Sequence, residues 1–277
     1  MRTGLTYPAL LLGRGGSRGL PGKNVHSLLG RPLMTYPLLA ASAATLVDEV
    51  YLSTDDAAIA AIGRRHGAKL IERPAALATD TALVENVVVH GFHQLVARRG
   101  EVDLFVLLLC NAATITPGVI DQGIRTLIDD PTLDSAVTVS RYNEYSPVRA
   151  KRIDSAGMLV PFCDVSGIPN VTCDRDTQGD VYYCDGAAWV LRARCMDLAA
   201  GVLPFRWMGR RTVPLIQSGG LDVDYADGLV RTEWWLSQHG FSELETPYDR
   251  PAEASAIDEG EREKRWTEAA ALRGGAQ

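Results

Sequence analysis

The chain has 277 residues, 46% of them hydrophobic, and a formal net charge of -6. That is apolar mass enough for one large α/β domain, or one domain with an excursion, and too much for a chain disordered throughout. The acidic balance disfavours nucleic-acid polymers and anionic membranes, which reward a basic face, and no apolar run approaches the ~20 residues needed to cross a bilayer.

"YPALLL" (7–12) opens a series of continuous apolar runs, followed by "EVYLST" (49–54), "KLIE" (69–72), "DLFVLLLC" (103–110) and "SAVTVS" (135–140). Unbroken hydrophobicity marks strands buried on both faces, hence an α/β three-layer sandwich around a mostly parallel, Rossmann-like sheet. Helical patterns at about 32–46, 57–66, 83–98 and 118–129 alternate with these runs, the third opening from "TDT", where Thr79, Asp80 or Thr81 would cap it. Such alternation puts a ligand crevice at the carboxyl ends of the strands. From about 141 to 183 turn formers replace the rhythm, which predicts an insertion leaving the sheet. The sheet is expected to resume at "GAAWVLRA" (186–193), followed by a short helix near 194–200, a strand "RTVPLI" (211–216), the loop "GGLDVDYADG" (219–228) and a last helix "LVRTEWWLSQ". The domain therefore reads as 1–246, with 247–277 a polar, frayed tail.

The five cysteines are odd in number and never closer than ten residues, so neither a disulfide framework nor a CxxC metal site is indicated. The opening "MRTGLTYPALLLGRGG" lacks a small-residue cleavage site, and the expected location is the cytoplasm. His90 and His93, three apart on the predicted third helix, lack an acidic or cysteine partner at matching spacing and read as packing or surface residues.

The chemistry is concentrated in "LLLGRGGSRGLPGKN" (10–24). A phosphate loop of the GxxxxGK type would put its first glycine on Ser17 and leave Asn24 where a magnesium-binding hydroxyl belongs. A dinucleotide fingerprint starts well at Gly13 and Gly15 but meets Arg18 where a third glycine is required. What remains is a glycine turn whose main chain can approach phosphate oxygens, with Arg14, Arg18 and Lys23 supplying charge-assisted bonds; Arg31 adds to this local positive excess. A merely solvated basic turn would explain the charge but not the glycines. In "LDVDYAD", Asp222 and Asp224 stand two apart, so in an extended segment both carboxylates project from one face, where they could hold Mg²⁺ against phosphate. The alternative is that these aspartates and Asp227 only cap the following helix.

"GRGGSRGLPGKN" resembles the first loop of the cytidylyltransferases that activate sugar acids, the acylneuraminate and CMP-KDO synthetases, with Arg18 for the usual lysine. The likeness continues in "GRPLMTYPLLAA", in "VYLSTDDAAIAAIGRRHGAKLIERPAALATDTA" and in "LDVDYADGL", in family order and spacing over most of 7–236. The resemblance implies the fold of nucleotide-diphospho-sugar transferases with a dimerisation excursion, CTP as substrate, and a homodimer. It also implies that Gly13, Arg14, Gly15, Gly16, Ser17, Arg18, Lys23 and Asn24 grip the phosphates, while Arg73 and the backbone near Thr79 and Asp80 read the cytosine. Asp222 and Asp224 would be the Mg²⁺ ligands.

The reaction expected is in-line attack of an acceptor oxygen on the α-phosphorus of CTP, pyrophosphate leaving, with Arg18 and Lys23 stabilising the leaving group and no covalent intermediate. Two departures bear on the acceptor. Relatives read "LLQPTSPLR" where this chain has "LLLCNAATITPG", so Cys110 replaces a glutamine, Ala112 a threonine and Thr116 an arginine. Asp185 stands where the family has asparagine before Gly186. Cys110, Asn111, Tyr183 and Asp185, with Arg149, Lys151 and Arg175 from the insertion, are the candidate contacts of a small anionic acceptor. A 2-keto sugar acid is the first expectation, a phosphonate the second, and a non-catalytic nucleotide binder the rival of another class.

Overall fold

A continuous apolar strand needs cover on both sides, and the fold supplies it. The structure is a computed structural model that describes residues 6–249 apart from 176 and 221. Its strands are β1 (Tyr7–Leu12), β2 (Ser27–Leu28), β3 (Arg31–Pro32), β4 (Val47–Thr54), β5 (Lys69–Glu72), β6 (Leu104–Leu109), β7 (Ser135–Arg141), β8 (Lys151–Ile153), β9 (Leu159–Pro161), β10 (Tyr182–Arg192) and β11 (Thr212–Gln217). Its α-helices are α1 (Thr35–Ala43), α2 (Ala57–Arg65), α3 (Val84–Arg99), α4 (Pro117–Asp129) and α5 (Ala226–Gln238). Seven strands form one sheet in the order β11-β7-β10-β6-β1-β4-β5. β10 runs antiparallel to both neighbours and every other pair is parallel.

Side chains alternate across the sheet. Ala9 and Leu11 face Leu38, Ile59 and Ile120 of α1, α2 and α4, whereas Leu10 and Leu12 face Val88, Phe92 and Leu95 of α3. A third cluster joins α5 to the β2–β3 hairpin through Leu28, Trp235 and Leu236. Each fully buried large side chain contributes on the order of 1.5–3 kcal/mol, so both faces are needed to hold the sheet together.

The seven predicted sheet strands all form, as does the excursion, which carries β8 and β9 as a separate hairpin. Several boundaries differ from the sequence expectation. α1 is confined to Thr35–Ala43 because Arg31 and Pro32 pair in a hairpin instead. The short helix near 194–200 is two turns of 3-10 helix. Thr79, Asp80 and Thr81 do not cap α3, whose N-cap is Leu83 without a side-chain bond. Asp80 is engaged elsewhere. None of Asp222, Asp224 and Asp227 caps α5, whose N-cap is Tyr225; Asp227 lies in its first turn, paired with Arg231 at 2.6 Å. Of the expected tail, Tyr248 packs edge-on against Phe241, and residues 250–277 lie outside the described residues.

Candidate functional site

β1 lies between β4 and β6, so the chain leaves β1 at the point where the sheet order reverses, a natural crevice. The exit is tight. A Cβ on Gly13 would stand 2.5 Å from the Cys110 Sγ that follows β6, so only glycine lets the two exits cross. Gly13 N–H donates to the Ser53 carbonyl at 3.1 Å and Gly15 N–H to Asp55 Oδ1 at 3.3 Å, which bind the loop to the end of β4. Gly16 faces open space and Ser17 is half-buried.

Arg14 and Arg18 converge on one carboxylate. Asp80 accepts from Arg14 Nη1 at 2.8 Å and from Arg18 Nε at 2.6 Å, and Arg14 also reaches the Thr79 carbonyl at 3.3 Å. Hydrogen bonding from Arg18 and then Arg14 holds Asp80 below the usual carboxylate range. Two of the loop's three cations thus share one carboxylate of the "ATD" segment, which leaves a net positive charge on the group.

The third cation reaches the other end of the chain. Lys23 Nζ donates to Asp224 Oδ1 at 2.5 Å, across 201 residues of sequence. The approach is close all along this seam, since a Cβ on Gly19 would fall 2.4 Å from the Asp224 carbonyl oxygen. Asn111, just past β6, clamps the same segment: its Nδ2 donates to Asp222 Oδ2 and to the Val223 carbonyl, each at 3.1 Å, while Val223 N–H donates to the Asn111 carbonyl at 2.8 Å. Burial, then the charge of Asp224, raises the Asp222 pKa above that of an ordinary aspartate, and Lys23 opposes the rise. The glycine loop and the paired aspartates therefore lie side by side.

Other candidate residues are placed differently. Asn24 is buried; it ties the loop by donating to the Arg14 carbonyl at 2.9 Å, so it shapes the glycine loop rather than lining it. Arg73 is buried with its Nη2 on the Ser53 carbonyl at 2.8 Å, and burial lowers its pKa. Cys110 is 0% exposed beneath Gly13, its thiol pushed up by burial, so it is a packing residue with no surface for an acceptor. Thr116 caps α4 through Val119 N–H at 3.4 Å. Tyr183 donates to the Tyr145 carbonyl at 2.5 Å. Asp185 is 1% exposed and its oxygens accept from Ser140, Gln217 and the Ala187 N–H, so it faces the interior rather than a ligand. Arg149, Lys151 and Arg175 are exposed on the excursion. Arg31 is structural, donating to the Ser242 carbonyl at 2.6 Å. His90 is half-buried on α3 and shifted down by burial, and His93 is exposed.

Sequence reasoning missed Gly19, the clamp made by Asn111 and the Asp55 acceptor. Gly19 stood in plain view within the loop, but no local pattern announces a contact with residue 224.

Residues 9–149 match a family model described as cytidylyltransferase. The chain is 30% identical over 194 residues to the CMP-N,N'-diacetyllegionaminic acid synthase of Legionella pneumophila, covering 67% of this chain and 78% of that protein. It is 28% identical over 149 residues to N-acylneuraminate cytidylyltransferase A of Danio rerio, covering 54% of this chain but only 33% of that protein. Among solved structures, CMP:2-keto-3-deoxy-manno-octonic acid synthetase complexed with CTP aligns with a TM-score of 0.61 at 18% identity, over 84% of this chain and 99% of that one. At that identity the structural match speaks for the fold. The matched segment starts in β1, contains the glycine loop with Arg14, Arg18 and Lys23, and ends at Arg149, and with the legionaminic acid synthase match it shows that the chain belongs to the cytidylyltransferase family.

Proposed function

We propose that this cytidylyltransferase transfers CMP from CTP to a small anionic acceptor, a 2-keto sugar acid, with Mg²⁺ held by Asp222 and Asp224. The observation that carries the reading is the Lys23–Asp224 contact at 2.5 Å, which joins the phosphate loop to the paired carboxylates. An acceptor oxygen attacks the α-phosphorus in line, and the bond from that phosphorus to the bridging oxygen breaks as pyrophosphate leaves. Arg14, Arg18 and Lys23 are the groups available to neutralise the leaving charge, so the triphosphate displaces Asp80 and Asp224 as their partners. Holding both reactants in line can supply roughly 7–11 kcal/mol, which makes a dedicated base dispensable.

The donor set suits a hard cation. Asp222 has one oxygen oriented by Asn111, Asp224 has one on Lys23, and two carboxylates share a single nearby lysine. Among the described residues no group of three or more His, Cys, Asp or Glu side chains forms, so phosphate oxygens and water would complete the shell. When bound, Mg²⁺ supplies charge neutralisation at the phosphate oxygens.

The phosphonate reading has one observation in its favour: Cys110 is buried and the Thr116 hydroxyl caps α4, so the loop after β6 lacks the polar side chains expected for a sugar acid. Pyrophosphate release from CTP with a panel of 2-keto sugar acids and phosphonates separates the two. Turnover with phosphonates alone would reject the first. The excursion exposes Ile153, Leu159 and Phe162 at 73, 71 and 66%, which supports pairing with a second copy, tested by light scattering. The five cysteines are free, and among the described residues no helix is long and apolar enough to cross a membrane; we assign the chain to the cytoplasm.

A further inference from the structure

We propose that Asp185 is a positioning residue for the transfer reaction: it pins the Gly219–Gly220 turn and thereby sets the direction in which Asp222 points. The inference rests on the metal role proposed above for Asp222. Asp185 sits where β10 breaks register with β7, in the stretch between the pairings of Cys184 with Val139 and of Trp189 with Val137. Its carboxylate meets only donors. Oδ2 accepts from Ser140 Oγ at 2.7 Å and from Gln217 Nε2 at 2.8 Å, and Oδ1 accepts from Ala187 N–H at 3.1 Å.

Ser140 completes a relay, because its Oγ also accepts the Gly220 N–H at 3.1 Å. Gly220 is held on its other side by Tyr142, whose hydroxyl donates to its carbonyl at 3.0 Å. The fit leaves no slack: a Cβ on Gly220 would stand 2.5 Å from Asp185 Oδ2. Gly186, next to Asp185 and at φ +77°, is the floor on which Asp222 rests, since a Cβ there would be 3.2 Å from the Asp222 Cβ. The dipeptide Asp185–Gly186 therefore controls both the turn two residues before Asp222 and the surface beneath it.

An amide at 185 keeps the shape but must re-pair the network. With its Oδ1 on Ala187 N–H, the NH₂ group would face Ser140 and Gln217, which receive it only if the Gln217 amide turns its Oε1 inward and the Ser140 hydroxyl proton turns away. Removing the side chain altogether leaves Ser140, Gln217 and Ala187 N–H without this acceptor, and a buried residue that gathers three donors fits a need for fixed geometry at the neighbouring carboxylate.

The test is Asp185→Ala in the full chain. Mn²⁺ binding in the presence of CTP is followed by electron paramagnetic resonance, beside kcat and the affinity for CTP without metal. We expect Mn²⁺ affinity and kcat each to fall by about tenfold while metal-free CTP binding is unchanged. Asp185→Asn, whose amide Gln217 and Ser140 can re-pair, should keep most of both. Ser140→Ala cuts the link to Gly220 and should weaken Mn²⁺ in the same direction, which serves if Asp185→Ala fails to fold. Wild-type Mn²⁺ affinity in folded Asp185→Ala, or in Ser140→Ala, would overturn the proposal. Asp222→Asn separates the two readings. If it keeps Mn²⁺, the metal role is wrong and positioning falls with it; if it loses Mn²⁺ while Asp185→Ala does not, positioning alone is refuted.

Discussion

Replacing Asp222 by Asn should stabilise the ligand-free protein while removing its activity. Asp222 and Asp224 are two residues apart, so their Cα atoms are separated by at most ~7 Å. Unit charges at that distance repel by roughly 0.6 kcal/mol in water and roughly 2.4 kcal/mol at an effective dielectric of 20. Lys23 offsets part of this, and Asp224, 58% exposed, is screened, so about 1 kcal/mol remains. The amide oxygen introduced by Asp222→Asn can still accept from Asn111, so the clamp survives. For a domain of this size that gain raises Tm by about 2–4 °C.

The pH dependence fixes the sign. Burial and Asp224 raise the folded pKa of Asp222, so between about pH 4 and that raised value the folded state holds a proton the unfolded state has released. Stability conferred by the protonated form is lost as pH rises through this window. The Tm advantage of Asp222→Asn should grow from acid toward neutral pH and then level off, measured by calorimetry with a chelator present. Adding CTP and Mg²⁺ should reverse the order, because ligand linkage at 100 times Kd supplies about 2.7 kcal/mol to the wild type only. A variant no more stable than wild type at neutral pH without metal would refute the reasoning.

Gly13→Ala drives a methyl into Cys110 and should cost about 1–3 kcal/mol, whereas adding Cys110→Ala removes the sulfur at 2.5 Å and should recover much of the loss; additive denaturation midpoints would contradict the contact. Gly19→Ala collides with the Asp224 backbone, which cannot swing aside as a side chain can, so kcat should fall at least about tenfold while CTP still binds. Asp80→Asn releases Arg14 and Arg18 from a competing anion and should lower the KM for CTP with a steeper salt dependence; a raised KM would show that the Asp80 carboxylate helps to hold CTP.

The layered fold was legible because it depends on short-range pattern. Residues 7–12 are apolar without alternation and short, which fits a strand covered on both faces, and helical spacing between such runs favours parallel crossovers. The loop's glycines and cations were legible for the same reason: both the permission for close backbone approach and the positive charge belong to single residue types. Capping was not legible. Asp80 carried the composition of an N-cap, but two arginines brought in from the loop after β1 compete for it and a charged pair of donors prevails.

The amino-acid order alone determined that this chain builds a mostly parallel α/β sheet with a glycine-rich, cationic turn after its first strand, since those features are written in neighbouring residues. Only the tertiary structure decided that Lys23 meets Asp224, that Asn111 steadies Asp222, and that Cys110 and Asp185 belong to the interior rather than to an acceptor pocket. Those outcomes depend on which strand ends lie side by side and how closely they cross, and such distances arise from packing between segments as much as 201 residues apart, where no local periodicity carries information.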